Sequence, residues 1–253
     1  MTTHLQQVTE DLNRDVLLGR VLADASFNED LTRATNDFVQ QYAKEAICFD
    51  AGDLFDICEF KIINELQRMP FDRMWVEGEW NNDIKPYRAA MLFVDNGDET
   101  VSGVGFARVG GPREWALVWA SPSISLLTGE CRTFSDDPDY ETHLGQHLYA
   151  FRCFLSAINC SNVRRVEHKP DEKLQKARAK RGKQPLFSYW TLELEMERTE
   201  STSGLGGTHA SPRVHLRRGH ARKLASGKYT WVQACVVGNK KAGMIHKDYA
   251  LAA

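Results

Sequence analysis

The chain has 253 residues, of which 42% are apolar and 26% charged, and these proportions are typical of a globular protein rather than a disordered or fibrous one. No apolar run approaches the length of a membrane span, so the sequence predicts no membrane association and a cytoplasmic location. The net charge of -2 hides a division of the chain, because residues 1–163 hold 13 Lys+Arg against 26 Asp+Glu and residues 164–253 hold 19 against 8.

The chain therefore has an acidic first part and a basic second part. Charge that is segregated in this way favours a polyanion as the partner of the basic part. Attraction between the two oppositely charged parts of the same chain is the alternative explanation.

The six cysteines are scattered, and no pair has the spacing Cys-x-x-Cys. This pattern predicts neither a disulfide framework nor a zinc site. The polar and acidic segment Met1–Leu12 does not have the composition of a secretory signal peptide. We therefore expect a protein of a reducing compartment, with no metal and no cofactor.

Three amphipathic helices are predicted to form an N-terminal helical region over residues 1–69. Their apolar residues recur at helical spacing over Leu5–Val16, Leu31–Tyr42 and Leu54–Leu66. Asn28 is a suitable N-cap for the second helix. The apolar stripes are most simply interpreted as faces that pack on a core.

A change of period after Pro70 predicts a central α+β region over residues 70–198. Its first part has the pattern of four antiparallel strands, Met74–Trp80, Arg88–Val94, Thr100–Val109 and Arg113–Ala120. The segment Gly103-Val104-Gly105 lies inside a strand and is not followed by a helix. We interpret its glycines as packing positions and not as a phosphate-binding loop.

The segment Glu141–Cys160 has the most continuous helical stripe in the chain, and we expect this helix to lie against the sheet. His143 and His147 are four residues apart on it, a spacing that can bind a metal. The glutamate that follows the first histidine in zinc peptidases is missing, however. Solvated or capping histidines are therefore the favoured interpretation.

The central region is predicted to end with two strands, Val163–Glu167 and Leu186–Met196, that flank a short helix over Asp171–Lys183. This helix has acidic residues in its first turn and basic residues in its last, which suits the helix dipole and alone explains a solvated helix. Alternatively its basic residues contact a polyanion, and the candidates are Lys176, Arg178, Lys180 and Arg181.

A linker rich in Ser, Thr and Gly over residues 199–211 is predicted to lead into a basic C-terminal β module over residues 212–253. In a strand over Arg213–Arg218, alternation places a row of donors on one face. Gly219 interrupts this strand, and Ser226-Gly227 is a suitable two-residue turn into a second strand over Tyr229–Val237. The predicted fold class is therefore α+β, with N-terminal helices, a central antiparallel sheet carrying one long packed helix, and a basic C-terminal β-hairpin module.

The basic module combines arginine forks, lysine charges and aromatic side chains, which are the ingredients of single-stranded nucleic-acid binding. The candidate nucleic-acid-binding residues are Arg213, His215, Arg217, Arg218, His220, Arg222 and Lys223. Tyr229 and Trp231 could stack on bases or belong to the core of the hairpin. For Trp231 we favour the core.

His215 and His220 allow a second interpretation of the module. Two imidazoles near a phosphodiester can act as general base and general acid, and the protein would then be a metal-independent ribonuclease. We favour the view that both histidines only donate hydrogen bonds within a binding surface. No catalytic residue is assigned on this view, and an enzyme is not the expected class.

The C-terminal module also resembles that of a known family. The segment Arg213-Val214-His215-Leu216-Arg217-Arg218-Gly219-His220 and the later Trp231-Val232 and Val236-Val237-Gly238 are similar to the C-terminal module of proteins carried by phages and other bacterial mobile elements. This family includes a type V-A anti-CRISPR that lowers the production of its target nuclease. The chain departs from the family at Val214, where a proline is usual, and at Ala221, where an aromatic residue is frequent.

The resemblance implies a mobile-element regulator in the cytoplasm of a bacterial host. It implies binding to RNA or to a ribosome–nascent-chain complex, and loss of the target's messenger RNA as the nascent N-terminal peptide emerges. The acidic N-terminal part would then be free to bind a protein or peptide target. A purely protein-binding inhibitor, whose basic module docks on an acidic partner, remains an alternative.

Overall fold

A computed structural model describes residues 29–80, 87–108, 115–133, 138–183, 185–195, 213–217, 219–233, 235–237 and 239–244. The protein is an α+β protein, which confirms the predicted fold class. The helix predicted over Leu5–Val16, its neighbour Asn28 and the linker over residues 199–211 lie outside the described residues. The division of the chain into three regions stays a prediction.

The described helices are α1 Glu29–Tyr42, α2 Leu54–Cys58, α3 Pro138–Ile158 and α4 Glu172–Lys180, with 3₁₀ turns at Ala43–Glu45 and Asn64–Leu66. The first strands are β1 Ile47–Asp53, β2 Arg73–Trp80, β3 Tyr87–Asp95, β4 Thr100–Arg108, β5 Trp115–Ser125, β6 Val163–His168 and β7 Tyr189–Leu194. The C-terminal strands are β8 Arg213–Arg217, β9 His220–Lys223, β10 Tyr229–Val232, β11 Cys235–Val237 and β12 Asn239–Met244. No described helix is both long and apolar enough to span a bilayer.

The first seven strands form one sheet in the order β5-β4-β3-β2-β1-β7-β6. Strands β2 to β5 are the predicted antiparallel meander, and β6 pairs antiparallel with β7 at the edge of the sheet. Strand β1 lies in the interior of the sheet and runs parallel to both β2 and β7. The sheet is therefore mixed, and its two halves are joined through a strand that sequence patterning did not predict.

The third predicted helix is shorter than expected. It ends at Cys58, and Lys61 then adopts a positive φ of 55°. The missed strand β1 directly precedes it, with Cys48 and Phe49 buried. Because β1 is covered on both faces and contains Asp50 and Asp53, it lacks the polar–apolar alternation that identifies a half-buried strand.

Helix α3 lies across one face of this sheet, as its apolar stripe predicts. Phe151 stacks on Phe93 of β3 with ring centroids 3.7 Å apart, and Phe154 meets Phe49 of β1 edge to face at 5.4 Å. All four of these phenylalanines are fully buried. The helix thereby covers strands from both halves of the sheet and forms the centre of the main core.

Gly103 and Gly105 of β4 make room for this packing. A Cβ atom at Gly103 would lie 2.9 Å from Cδ1 of Phe93, and one at Gly105 would overlap the indole of Trp119. Trp119 is fully buried and faces α3. The interpretation of these glycines as packing positions is confirmed.

We expect Gly105→Ala to lower the free energy of unfolding by about 3 kcal/mol, because the indole of Trp119 must leave its site. Gly145→Ala is the matched control. It adds the same methyl group at an exposed position of α3 where nothing lies within 4 Å. Removing a glycine from a helix interior should stabilise the protein by about 1 kcal/mol. Urea unfolding followed by far-UV circular dichroism measures both, and equal effects of the two variants would contradict the packing role of Gly105.

Candidate nucleic-acid interface

The predicted basic hairpin is present as strands β9 and β10. They pair antiparallel with Ala221 opposite Trp231. The connecting turn is closed by a hydrogen bond from the Leu224 N–H to the Lys228 carbonyl, 2.7 Å, and Gly227 has φ 81°. A turn therefore lies at the predicted place, with glycine at a position where other residues are strained, but the loop has three residues, Ala225, Ser226 and Gly227, and not two. The strand predicted over Tyr229–Val237 is divided into β10 and β11, which pair with different strands.

The interruption predicted at Gly219 divides the module into two small sheets. Strand β8, before Gly219, pairs antiparallel with β11 and parallel with β12, whereas β9, after Gly219, pairs only with β10 within the described residues. The described backbone places Arg213, His215 and Arg217 in β8, but their side chains, and all of Arg218, lie outside the described part of the chain. The predicted cations of this module thus belong to strands of two different sheets and do not form one continuous strand.

The hairpin is attached to the main body at the turn that follows α3. The Asn162 side chain accepts a hydrogen bond from the Trp231 N–H at 2.7 Å and donates one to the Trp231 carbonyl at 2.9 Å. The Ser161 N–H donates to the Tyr229 carbonyl at 2.8 Å. The Trp231 ring stacks on Phe60 with centroids 3.9 Å apart and is 7% exposed. The core role favoured for Trp231 is therefore confirmed.

Tyr229 contributes to a polar contact beside this attachment. Its hydroxyl donates to Oε1 of Glu65 at 2.8 Å, and Nζ of Lys223 lies 3.3 Å from the same oxygen. The hydrogen bond from Tyr229 and the nearby Lys223 hold the pKa of the Glu65 carboxyl below its usual value, and Glu65 in turn raises the pKa of Lys223. Lys223 is therefore partly engaged within the chain before any partner binds.

Helix α4 presents the second group of predicted cations. Asp171 caps it by accepting a hydrogen bond from the Leu174 N–H at 3.0 Å, and no residue of the helix is buried. Gln175 anchors it, since its side chain bonds both the N–H and the carbonyl of Leu186 at 2.8 Å. The cap stabilises the first turn of the helix, and Gln175 holds the helix against the segment at Leu186 although no residue of the helix is buried.

The predicted cations of α4 are largely accessible. Lys176, Lys180 and Arg181 are exposed and Arg178 is half-buried. Lys176 lies 4.0 Å from Glu172, whereas Lys180 and Arg181 form no ion pair within the described part of the chain. On the hairpin, Arg222 and Lys223 are exposed and His220 is half-buried.

Edge strand β6 connects the two groups of cations. The hairpin attaches just before β6 begins and α4 follows soon after it ends, so the six-residue strand, about 20 Å long, separates the places at which these two elements join the sheet. Two exposed arginines on β6, Arg164 and Arg165, were not among the predicted residues. The onset of the basic part of the chain at Arg164 is the sequence signal that pointed to them.

The arginines of β6 border a groove of about 530 Å³ on the sheet edge. Nη2 of Arg164 lies 2.8 Å from Oε2 of Glu193, a bond that raises the Arg164 pKa. The Arg165 guanidinium lies over the Phe71 ring, 5.2 Å from its centroid. The Phe71 ring covers one face of the guanidinium, and the Arg165 cation stays at the protein surface.

His147 of α3 does not take the predicted solvated or capping role, whereas its neighbour His143 is half-buried. His147 is fully buried, and its Nδ1 accepts a hydrogen bond from Trp119 Nε1–H at 2.9 Å. Its Nε2 lies 3.4 Å from the Tyr87 hydroxyl. Burial lowers the pKa of His147 to about 3. The imidazole therefore links α3 to β3 and β5 in its neutral form.

The described residues contain no group of three side chains placed to hold a metal ion. Catalysis by His215 and His220 stays the less favoured alternative and is untested, since the His215 side chain lies outside the described part of the chain. His220 lies opposite Val232 in the β9–β10 ladder.

Comparison with known families gives one partial match. Residues 149–239 match the family described as AcrVA2-like: Anti-CRISPR type V subtype A2 family. The matched segment runs from the second half of α3 to the start of β12 and covers just over a third of the chain. It supports a relationship with anti-CRISPR-like proteins of mobile elements. No curated protein and no solved structure gives a significant match.

We expect Trp231→Ala to detach the hairpin from the main body, because it removes the ring that stacks on Phe60. The loss should be about 3 to 5 kcal/mol, as for other buried aromatic residues. Hydrogen exchange of the amides of residues 220–232 should become fast while that of α3 stays slow. Tyr229→Phe, which removes only the exposed bond to Glu65, is the control and should leave the exchange nearly unchanged. Slow exchange in both variants would mean that the stacked ring does not hold the hairpin.

His147 should make the protein sensitive to acid. Its pKa in the folded state, about 3, is below that of an unfolded histidine, so the unfolded chain binds the proton more readily between these values. Stability is then fully present above the unfolded pKa and is lost as the pH falls toward 3. At pH 4, the free energy of unfolding should have fallen by about 3 kcal/mol because of His147 alone.

His147→Gln keeps an acceptor for Trp119 but cannot titrate. The free energy of unfolding of this variant, measured by urea unfolding from pH 7 to pH 4, should fall less steeply than that of the parent protein. Parallel profiles for the two proteins would show that His147 is not the group responsible.

Proposed function

We propose that this protein is a mobile-element regulator similar to anti-CRISPR proteins that act during translation. Its basic part binds RNA or a translating complex, and its acidic part binds a protein or nascent-peptide target whose expression falls as a result. The partial family match and the Arg217-Arg218-Gly219-His220 motif support the first half of this statement.

The observation that carries the RNA component is the exposure of helix α4. A helix of nine residues that buries none of them is marginal on its own, so packing does not explain its sequence. The helix and its C-terminal cap present Lys180 and Arg181, which are exposed and form no ion pair within the described residues, and Gln175 anchors the helix to Leu186. An ordered, cationic and exposed helix is suited to neutralising phosphates.

The hairpin adds further cations at the other end of β6. Arg222 is exposed and Lys223 lies beside it, on a strand pair that is fixed by the contacts of Asn162 and Trp231. Because both groups of cations belong to ordered elements, an RNA strand that meets them loses less binding free energy to ordering of the protein. A single strand of about four nucleotides or more is needed to follow the length of β6 between these two elements.

We expect the variant K180E/R181E to bind a single-stranded RNA of twelve nucleotides at least tenfold more weakly than the parent protein at low salt. The log of the affinity should fall with the log of the salt concentration, and the slope should be smaller by about 1.4 in the variant, since two phosphate contacts are lost. The control is K44E/R132E, which makes the same change of net charge in the acidic part of the chain. Fluorescence anisotropy measures both, and equal losses in the two variants would show that only net charge matters.

The cellular consequence has its own measurement. In bacteria that express the protein with a type V-A nuclease, the nuclease transcript should fall, and it should not fall when the start codon of the nuclease is removed. K180E/R181E should restore the transcript, whereas K44E/R132E should not. A transcript that falls without its start codon would contradict action during translation.

A further inference from the structure

Edge strand β6 leaves a row of backbone groups without a strand partner in the described part of the chain. The Glu195 N–H donates to the Asn162 carbonyl at 2.8 Å, so these two residues form a hydrogen-bonded antiparallel pair. Hydrogen-bonded pairs recur every second residue, which directs the N–H and carbonyl of Arg164 toward β7. The corresponding groups of Arg165 and Glu167 are directed away from the sheet.

The first residue of the strand agrees with this alternation. The Val163 N–H points away from β7 and bonds the Cys160 carbonyl at 3.2 Å instead. The open part of the edge therefore begins with the Val163 carbonyl and continues through Arg165 to Glu167. It is limited at one end by the attached hairpin and at the other by Pro170, which leaves about 20 Å of strand.

The side chains beside this edge form a recognition surface. The groove of about 530 Å³ is lined by Phe71, Val163, Arg164, Arg165, Trp190 and Glu195. Arg164 is paired with Glu193, whereas Arg165 has no acidic partner within the described residues and rests on Phe71. The groove thus offers one uncompensated cation next to the half-buried ring of Trp190.

We propose that β6 accepts an extended acidic peptide segment as an eighth strand of the sheet. The peptide backbone supplies partners to the outward groups of Arg165 and Glu167, and an acidic side chain pairs with the Arg165 guanidinium. This mode of recognition takes its affinity from main-chain hydrogen bonds and its specificity from alternate side chains. The proposal goes beyond the RNA function, because it requires neither α4 nor the hairpin cations.

A second copy of this chain is a poorer occupant of the same edge. In the antiparallel register that centres two β6 strands on each other, the Arg165 side chains of both copies lie directly opposite, and like charges on adjacent strands destabilise a sheet. Charged residues on edge strands commonly prevent such self-association. The same charges favour an acidic segment.

The first test uses two labelled peptides of eight residues, one alternating glutamate with valine and one alternating lysine with valine. The glutamate peptide should bind the full-length protein at least tenfold more tightly in fluorescence anisotropy. Methylation of single backbone nitrogens of this peptide should weaken binding at every second position only. Equal affinities for the two peptides, or no alternation in the methylation series, would overturn the proposal.

The second test changes the edge itself. Glu167→Pro removes an outward N–H without disturbing the ladder to β7, and proline is tolerated at such positions. It should weaken binding of the glutamate peptide about tenfold, whereas the control Glu167→Gln should not weaken it. Arg165→Gln should weaken it several-fold, and circular dichroism of each variant verifies the fold. If Glu167→Pro and Glu167→Gln bind the peptide equally, the added strand is wrong.

RNA is the competing ligand for this edge. If the two peptides bind equally and weakly while Arg165→Gln lowers the affinity for the twelve-nucleotide RNA about tenfold, the edge serves RNA and the peptide proposal is overturned. The variant K180E/R181E tests RNA binding and peptide binding independently. If it loses affinity for RNA and keeps its affinity for the glutamate peptide, both the RNA proposal and the peptide proposal are supported.

Discussion

The close packing of helix α3 on the sheet is the constraint on which the remaining structure depends. Phe151 can stack on Phe93 because β4 carries no Cβ atoms at Gly103 and Gly105, which leaves space for the rings of Phe93 and Trp119. This fixes the height of α3 above the sheet, and the interior of a protein tolerates little change in such a spacing. The position of the C-terminal end of α3 follows, and with it the start of β6 and the turn that holds the hairpin.

The surfaces that carry function are attached to this frame at a few points. The hairpin is attached through Asn162 and Trp231, and α4 through Gln175. Helix α4 buries no residue, so its position depends on the Gln175 contacts, whereas the hairpin also buries Trp231 in a small apolar cluster with Leu66 and Cys160. Between them lies β6, whose outward backbone groups and two arginines face solvent. The basic part of the protein is therefore an edge with a cationic element at either end, and not a single cationic strand.

The segregation of charge along the sequence has two physical consequences in the structure. One is internal, because Glu65 of the acidic part binds Tyr229 and Lys223 of the hairpin. The attraction between oppositely charged parts of the chain is thus real at this contact, although exposed ion pairs of this kind contribute little stability. The other consequence is external, since Lys180 and Arg181 form no ion pair within the described residues. Only the cations without an acidic partner in the protein are fully available to a polyanion.

The sequence by itself determined the α+β class, the meander, helix α3 and the turn at Gly227, because periodicity and glycine chemistry are local properties. It also indicated the glycine packing of β4 and the buried role of Trp231. Strand β1 could not be predicted, since a strand covered on both faces shows no alternation, and neither could the burial of His147, which requires Trp119 and Tyr87 to meet it from other strands. Only the tertiary structure decided that β6 lies at the edge of the sheet, because the order of strands depends on which surfaces are covered and not on any local pattern.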